Sequence, residues 1–348
     1  MKALVYHGPG KRSWDEVPDP TVQDPEDAVV RVDTVTICGT DLHILGGDVP
    51  TCEPGRVLGH EAVGTIESIG DGVRNVAVGD RVLVSCITAC GRCRYCREGH
   101  YGQCIGDGGW ILGHRIDGTQ AEYVRVPYAD NSVHKLPESV TDEAAVMLAD
   151  ILPTSYEVGA LNGQVRPGDT VLVIGAGPIG LAAVMTVRLL SPSHIVVVDP
   201  ASARRDAANK LGADVVLDTD ADVAEVLAGL TDGLGADVAI EAVGIPQTFE
   251  QCVELVRAGG RVANVGVHGS PATLHLETAW IRNLTITTGL VDTYTTPTLL
   301  RMLAAGQLDV SGLVTHRFGL QEMQDAYDVF SRPADTDALK VVLYGAHK

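Results

Sequence analysis

The chain has 348 residues, of which 45% are hydrophobic and 20% are charged. This length predicts two domains, and the composition argues against a disordered, collagenous or coiled-coil chain. The formal net charge of −19 disfavours binding to nucleic acid or to an anionic membrane surface. The sequence has neither an apolar stretch long enough to span a membrane nor the apolar segment of a signal peptide. We therefore expect a cytoplasmic protein whose eight cysteines suit metal binding better than disulfides.

The first 135 residues contain short β segments separated by Gly and Pro, for example 28–33 and 81–84, which predicts a β-rich domain. From about residue 150, runs of β-branched residues alternate with helical patterns. The predicted strands cover 170–174, 194–199, 214–217, 238–240 and 261–265, and the predicted helices cover 178–190, 201–211, 222–230 and 247–258. This alternation predicts βαβ units around a buried parallel sheet.

The residues after 290 follow a different pattern. Two amphipathic helices are predicted near 298–305 and 321–330, and a terminal strand is predicted over 339–343. This tail fits neither another βαβ unit nor a linker, so we expect it to return to the first domain. Acidic residues are scattered along the chain, as on solvated faces, and form no binding tail.

A glycine-rich turn follows the predicted strand 170–174 and precedes a predicted helix, with the sequence Gly175-Ala176-Gly177-Pro178-Ile179-Gly180. In the dinucleotide-binding version of this turn, Gly175 permits the tight turn, Gly177 admits a pyrophosphate and Gly180 allows close helix packing. Asp199 ends the next strand, where a carboxylate can accept hydrogen bonds from the adenosine ribose and repel a 2′-phosphate. The pattern predicts NAD binding; the alternative is a structural turn with a chance aspartate.

Four cysteines lie within fifteen residues, at Cys90, Cys93, Cys96 and Cys104. Four thiolates suit a structural zinc ion whose coordination positions are all filled by protein. An iron–sulfur cluster also needs four thiolates, and a redox loop or chance clustering is a further alternative. Nothing else in the sequence indicates electron transfer, so zinc is the preferred interpretation.

A second set of zinc-binding residue types lies upstream, in Cys38-Gly39-Thr40-Asp41-Leu42-His43 and in Gly59-His60-Glu61. A thiolate, an imidazole and a carboxylate are good zinc ligands. Taken singly, Cys38 and His60 also suit the protein core and Glu61 suits the surface. Spacing alone leaves a metal site and these structural roles equally open.

Together, in this order, these motifs resemble the zinc-dependent medium-chain alcohol dehydrogenases over essentially the whole chain. The segment Gly59-His60-Glu61-Ala62-Val63-Gly64 is similar to the zinc signature of that family. Among its members the chain is most similar to bacterial secondary-alcohol dehydrogenases, through the 38–43 segment, Gly108-Gly109-Trp110 and Met147-Leu148-Ala149-Asp150. Unlike their thermophilic members, which use a phosphorylated cofactor, this chain has the four cysteines and Asp199.

The resemblance implies an α/β protein with a GroES-like catalytic domain at 1–150 and 290–348 and a Rossmann NAD-binding domain at 151–289. It implies two zinc ions per subunit, a homotetramer or homodimer, and catalytic zinc on Cys38, His60 and Asp150, with Glu61 as a nearby or exchanging ligand. Many relatives have a cysteine at the position of Asp150. The cofactor contacts that it implies are the glycine turn with Pro178 and Ile179, Asp199, Arg204, Thr154, Val243 and Val267.

The implied reaction is the reversible oxidation of an alcohol to a ketone or aldehyde. Thr40 accepts the hydroxyl proton, which reaches solvent through the cofactor ribose and His43. Asp41 orients His60, while Ile87 and Trp110 line the substrate pocket or simply pack in the core. The alternatives are a polyol, butanediol, threonine or formaldehyde dehydrogenase of the same family, and a non-catalytic dinucleotide-binding protein.

Overall fold

A computed structural model describes residues 1–346 of the chain. These residues form two compact units, the first made of residues 1–150 together with 291–346 and the second of Ile151–Leu290. The second unit is therefore an insertion in the sequence of the first. No helix within residues 1–346 is long and apolar enough to cross a membrane.

The N-terminal part of the first unit consists mainly of short strands, as its β-branched residues predict. The strands are β1 (Lys2–Tyr6), β2 (Arg12–Glu16), β3 (Ala28–Thr36), β4 (Ala62–Ile69), β5 (Arg81–Val84), β6 (Tyr123–Val126) and β7 (Val133–Lys135). The helices are α1 (Gly39–Gly46), α2 (Arg94–Arg97), α3 (Ala129–Ser132) and α4 (Asp142–Val146), with a 3₁₀ turn at Tyr101–Gln103. β1 and β2 form an antiparallel hairpin.

The second unit alternates strands and helices, as the sequence predicts. It begins with α5 (Ile151–Thr154) and a π-helical segment, Ser155–Leu161. Then follow β8 (Thr170–Ile174), α6 (Pro178–Arg188), β9 (His194–Val198), α7 (Ser202–Lys210), β10 (Val215–Leu217), α8 (Val223–Leu230), β11 (Ala236–Glu241), α9 (Pro246–Leu255), β12 (Val256–Asn264), α10 (Leu276–Ala279), a 3₁₀ turn (Trp280–Arg282) and β13 (Thr285–Thr288).

The six strands of this unit form one parallel sheet in the order β10-β9-β8-β11-β12-β13. Every residue of β8 is buried, as expected for a parallel strand that is covered on both faces. The predicted Rossmann-type α/β sheet is confirmed.

One predicted helix is too long at its end. The pattern predicted helix over 247–258, but α9 ends at Leu255 and β12 begins at Val256. Val256 pairs with Ala236 and the next pair joins Arg261 to Val238, so residues 257–260 bulge from the ladder. Sheet pairing of a β-branched residue, which periodicity does not detect, overrides the helical pattern here.

The C-terminal tail completes the sheet of the first unit, as expected. Its elements are α11 (Thr296–Ala304), β14 (Val314–Gly319), a 3₁₀ turn (Leu320–Glu322), α12 (Met323–Phe330), α13 (Pro333–Thr336) and β15 (Lys340–Tyr344). β15 pairs antiparallel with β3, and the strand order is β14-β15-β3-β4-β5-β7, with β6 also paired to β3. The tail therefore lies directly beside the strand that leads to Cys38.

Candidate functional site

Cys38, His60 and Asp150 come together in the first unit. The Sγ atom of Cys38 lies 3.5 Å from Oδ2 of Asp150, and the same oxygen lies 3.5 Å from Nε2 of His60. Tetrahedral zinc with bonds of about 2.3 Å to sulfur and about 2.0–2.1 Å to nitrogen or oxygen places its ligand atoms roughly 3.3–3.5 Å apart. The sulfur, nitrogen and oxygen donors therefore fit one zinc ion.

Neighbouring strands bring these three ligands together. Cys38 follows β3 and caps α1, and His60 precedes β4; the two strands are antiparallel neighbours, with Val35 opposite Ala62. Asp150 is held from a third side, because the carbonyl of the preceding Ala149 accepts a hydrogen bond from the backbone N–H of Cys86 at 3.1 Å. Cys86 follows β5, which pairs with β4.

The surroundings of Cys38 and His60 raise the pKa of both side chains. Burial, with the nearby carboxylates of Asp150 and Glu61, raises the pKa of the Cys38 thiol. Burial opposes protonation of His60, but the hydrogen bonds of its ring to Asp150 and Cys38 outweigh this, and its pKa lies well above the usual range. A divalent cation would take the place of these protons, so zinc binding would release them.

Glu61 is close to the ligand cluster but has a different partner. Both carboxylate oxygens accept hydrogen bonds from Nζ of Lys340, at 3.0 and 2.7 Å, and Lys340 also donates to the carbonyl of Ile37 at 3.1 Å. Both side chains are buried. Sequence analysis missed Lys340, although a lysine within the apolar run 339–343 was a detectable signal, because a buried lysine needs a partner.

The two residues expected to move protons both lie on α1. The hydroxyl of Thr40 is 3.6 Å from Sγ of Cys38, so it borders the ligand cluster. Nδ1 of His43 lies 2.9 Å from Oδ2 of Asp48, and the His43 side chain is 39% exposed. His43 therefore contacts solvent.

Asp41 lies beside His60, as expected, but beyond hydrogen-bond distance. Its Oδ1 is 3.7 Å from Nδ1 of His60, and both atoms are buried without a hydrogen-bond partner. Its Oδ2 accepts from the backbone N–H of Cys38 at 3.0 Å. A small shift would thus let the carboxylate orient the ring, as residues behind metal ligands commonly do.

Trp110 and Ile87, the expected pocket residues, differ in their surroundings. The Trp110 ring meets the His60 ring edge-on at 6.3 Å and stacks on His114 at 4.4 Å. Ile87 is fully buried and directly follows Cys86. Trp110 is thus an apolar wall beside the ligand cluster.

The four cysteines of the 90–104 loop form a second metal cluster. Their sulfurs lie within 4.8 Å of one another, including Cys90–Cys96 at 3.9 Å and Cys93–Cys96 at 3.4 Å. Backbone N–H groups point at the sulfurs, and those of Cys96 and Ile105 help lower the pKa of Cys93 to about 6. Burial raises the pKa of Cys96. Four protein ligands leave no open position, which is the arrangement of a structural zinc site.

The glycine turn of the second unit has the geometry that dinucleotide binding requires. Gly175 has a φ of +96°, and a Cβ atom on Gly180 would lie 1.8 Å from the carbonyl oxygen of Gly175. Around Gly177 there is open space, where a pyrophosphate can meet the N-terminus of α6. Pro178 and Ile179 form the first turn of that helix.

Asp199 connects this turn to the end of β9. Its Oδ2 accepts from the N–H of Ala176 at 2.7 Å, and its Oδ1 accepts from the N–H of Ala201 at 2.8 Å. Nη1 of Arg204 lies 3.9 Å from Oδ2. A carboxylate has about four lone-pair sites, so Asp199 can hold the turn and also accept from a ribose.

Thr154, Val243 and Val267 lie at different positions of the second unit. Thr154 ends α5, and the next residue, Ser155, donates a hydrogen bond to the carbonyl of Ile179 at 2.8 Å. Val243 and Val267 follow the carboxyl ends of the adjacent strands β11 and β12 and are 46% and 63% exposed. Ligands of open parallel sheets bind at this end of the strands.

Comparison with known proteins agrees with these sites. Residues 24–138 match the alcohol dehydrogenase GroES-like domain family, and residues 178–305 match the zinc-binding dehydrogenase family. The chain is 38% identical over 363 aligned residues to an alcohol dehydrogenase from Cupriavidus necator, covering 99% of this chain and 98% of that protein.

Solved structures are similar over the whole length. Zinc-dependent alcohol dehydrogenase 2 from Streptococcus pneumonia, in its apo form, is 48% identical with a TM-score of 0.95, and the match covers 99% of both chains. Alcohol dehydrogenase TADH from Thermus sp. ATN1 is 37% identical with a TM-score of 0.92, covering 99% of this chain and 100% of that one.

Nicotinamide cofactors are present in more distant relatives. A zinc-binding dehydrogenase from Sinorhizobium meliloti 1021, at 29% identity and a TM-score of 0.87, is bound to NADP, and the match covers 99% of this chain and 98% of that one. A short chain alcohol dehydrogenase from E. coli CFT073, at 30% identity and a TM-score of 0.89, is complexed with NADH, and the match covers 99% of both chains. The two family matches, with 38% and 48% identity to alcohol dehydrogenases over nearly the whole chain, show that the chain is an enzyme of the zinc-dependent medium-chain alcohol dehydrogenase family.

Proposed function

We propose that the enzyme interconverts secondary alcohols and ketones with NAD as the hydride acceptor. The observation that carries this proposal is the position of Trp110, whose ring meets His60 edge-on at 6.3 Å. A secondary alcohol has carbon substituents on both sides of its carbinol carbon, and an apolar wall beside the metal ligands favours binding of one of them. Primary alcohols, diols and formaldehyde adducts would gain less binding free energy from contact with this apolar wall.

Cys38, His60 and Asp150 are the proposed ligands of the catalytic zinc. A zinc ion in this position supplies Lewis acidity, which favours loss of the hydroxyl proton of an alcohol. Thr40, whose hydroxyl is 3.6 Å from Cys38 Sγ, accepts that proton and gives up its own towards His43. His43, whose Nδ1 lies 2.9 Å from Asp48, releases the proton to solvent.

Glu61 is proposed as an exchanging ligand of this zinc, because it directly follows His60 in the sequence. Its ion pair with Lys340 opposes that role, since the carboxylate must leave a buried ammonium to reach a metal. We therefore assign Glu61 to occasional exchange and Asp150 to the resting site.

Selectivity for NAD is assigned to Asp199. A carboxylate there accepts hydrogen bonds from the ribose hydroxyls but repels the phosphate of NADP. Arg204, 3.9 Å from Asp199, would lie beside the same ribose and partly screen the repulsion. Thr154, Val243 and Val267 are proposed contacts of the rest of the cofactor.

A homo-oligomer, either a dimer or a tetramer, is proposed from the surface of the second unit. Among the described residues β13 ends the parallel sheet, so it offers an unpaired edge to another strand. The nearby side chains of Leu276, Trp280 and Ile281 are 62%, 73% and 67% exposed. An open edge flanked by exposed apolar residues suits pairing with the same edge of a second copy.

A cytoplasmic location is proposed from the cysteines. All eight lie within residues 1–346, and the structure pairs none of them in a disulfide there. Free thiols and thiolate-bound zinc are both stable in a reducing compartment.

Replacing Asp150 tests the assignment of the third ligand. Asp150→Asn removes an anionic donor, so zinc binding at the catalytic site should weaken about 10-fold or more, and turnover should fall with it. Elemental analysis after dialysis against a chelator should find one zinc per subunit instead of two. Glu61→Gln should weaken zinc binding and lower turnover less than Asp150→Asn does.

Cys93→Ser is the matching control, because it removes a ligand of the four-cysteine site instead. It should remove the other zinc and lower the melting temperature, while the remaining zinc still supports turnover in the folded fraction. Two retained zinc ions and near-normal turnover in Asp150→Asn would mean that another group is the third ligand.

A panel of about twenty alcohols and carbonyl compounds tests the substrate class. Secondary alcohols such as propan-2-ol and 1-phenylethanol should have higher kcat/KM than primary alcohols of equal carbon number. Trp110→Ala should narrow this difference, because it removes the apolar wall. A preference for polyols, 2,3-diols, threonine or formaldehyde would refute the secondary-alcohol proposal, and NADH binding without turnover would refute catalysis.

Cofactor selectivity is measured with the best alcohol of that panel. The unmodified enzyme should prefer NAD to NADP by at least ~100-fold in kcat/KM, equivalent to about 2.7 kcal/mol. Asp199→Gly should reduce this preference, since it removes both the ribose acceptor and the repulsion of phosphate. Equal rates with the two cofactors in the unmodified enzyme would contradict the assignment.

The oligomer is tested by light scattering. The unmodified enzyme should have a mass two or four times that of one chain, whereas Trp280→Glu with Ile281→Lys should yield a smaller species. A monomeric unmodified enzyme at micromolar concentration would contradict the proposal.

A further inference from the structure

A buried chain of hydrogen bonds lies behind the zinc ligands of the first unit. The hydroxyl of Tyr327 donates to Oε1 of Gln120 at 2.7 Å, and Nε2 of Gln120 donates to Oδ2 of Asp41 at 2.9 Å. Tyr327 and Gln120 are 0% exposed and Asp41 is 1% exposed. The chain thus runs without solvent contact from α12 in the C-terminal tail to α1.

The chemistry of each group fixes the direction of this chain. Oδ2 of Asp41 already accepts from the backbone N–H of Cys38, so as an acceptor it requires the NH₂ side of the Gln120 amide. The carbonyl oxygen of Gln120 must then point away from Asp41, where Tyr327 is its donor. Loss of the Tyr327 hydroxyl would leave that buried oxygen unpaired, which is unfavourable, and the amide would turn towards other donors.

The hydrogen bonds to Oδ2 of Asp41 determine where Oδ1 of the same carboxylate points. Oδ2 is fixed by Gln120 and by the backbone N–H of Cys38. Oδ1 is left facing Nδ1 of His60 at 3.7 Å, just beyond hydrogen-bond distance, and neither atom has a hydrogen-bond partner. An acceptor at Nδ1 keeps the proton on that nitrogen and leaves Nε2 free to bind a metal.

Contacts at the far end keep Tyr327 in place. The guanidinium group of Arg12 lies 4.8 Å from the centre of the Tyr327 ring, and it forms an ion pair at 2.7 Å with Asp328, the next residue of α12. A cation over an aromatic face is attracted to it. The tyrosine is therefore held by packing and charge independently of its hydroxyl, so that deleting the hydroxyl alone should preserve the fold.

We propose that Gln120 and Tyr327 are positioning residues that act through Asp41 on His60 and so set how firmly the catalytic zinc is held. The inference rests on the proposed ligand set of Cys38, His60 and Asp150. It adds to that set two residues that contact neither zinc nor substrate.

The test is the rate at which a chromogenic chelator removes zinc from the purified holoenzyme. Tyr327→Phe should release the catalytic zinc about 10-fold faster, the lower end of the range for residues behind metal ligands. The four-cysteine zinc is the internal reference, and its release rate should not change. Tyr6→Phe is the matched control, because Tyr6 is a buried tyrosine of the same core cluster, and it should change neither rate.

A double-substitution cycle separates positioning from general loosening of the core. Gln120→Met keeps the side-chain volume but cannot donate to Asp41, so it should also speed release of the catalytic zinc. If Tyr327 acts through Gln120, the double variant should release zinc no faster than Gln120→Met alone. Cobalt substituted at the catalytic site should show altered d–d absorption bands in both single variants.

Three outcomes would overturn the proposal. One is equal release rates in Tyr327→Phe and Tyr6→Phe; another is additive effects of the Gln120 and Tyr327 substitutions. The third is an unmodified enzyme that holds only the four-cysteine zinc, which would refute the proposed ligand set as well. The first two outcomes leave that ligand set intact, so the two failures are distinguishable.

Discussion

The buried ion pair between Glu61 and Lys340 is the interaction on which the active-site half of the molecule depends. Its two side chains come from opposite ends of the sequence, 279 residues apart, and both are 1% exposed. Removing one member of a buried pair typically costs about 3–5 kcal/mol, because the other charge is left uncompensated. The pair thus ties β15 to the start of β4 across the intervening strand, in the order β15-β3-β4.

The same neighbourhood contains more acidic groups than cations. Cys38, Asp41 and Asp150 surround His60, while Lys340 is already paired with Glu61. Buried anions need a cation or a proton, and burial with nearby carboxylates raises the pKa of the Cys38 thiol in the metal-free chain. A divalent ion removes this conflict, so the arrangement that makes the site costly without metal also gives it affinity for zinc.

Sequence reasoning succeeded where the determining contacts are local. The glycine turn at 175–180 and the four cysteines of 90–104 each lie within one short segment, so the spacing of their residues was enough to predict their arrangement. Asp150 is 112 residues from Cys38, and only family resemblance pointed to it. Lys340 was missed because its partner Glu61 lies 279 residues away, just before β4. The helix predicted over 247–258 was too long because strand pairing at Val256 decides its end.

The insertion of the second unit has a consequence for how the site is completed. Residues 151–290 are contiguous and have a core cluster of their own, whereas the first unit draws its sheet from both sides of that insertion. Until β15 pairs with β3, Glu61 lacks Lys340 and Gln120 lacks Tyr327. A carboxylate and an amide without partners are costly to bury, so the N-terminal segment cannot close around its zinc ligands at low cost by itself. The tail that supplies both partners is therefore needed to complete the surroundings of the site, although the three proposed zinc ligands all precede residue 151.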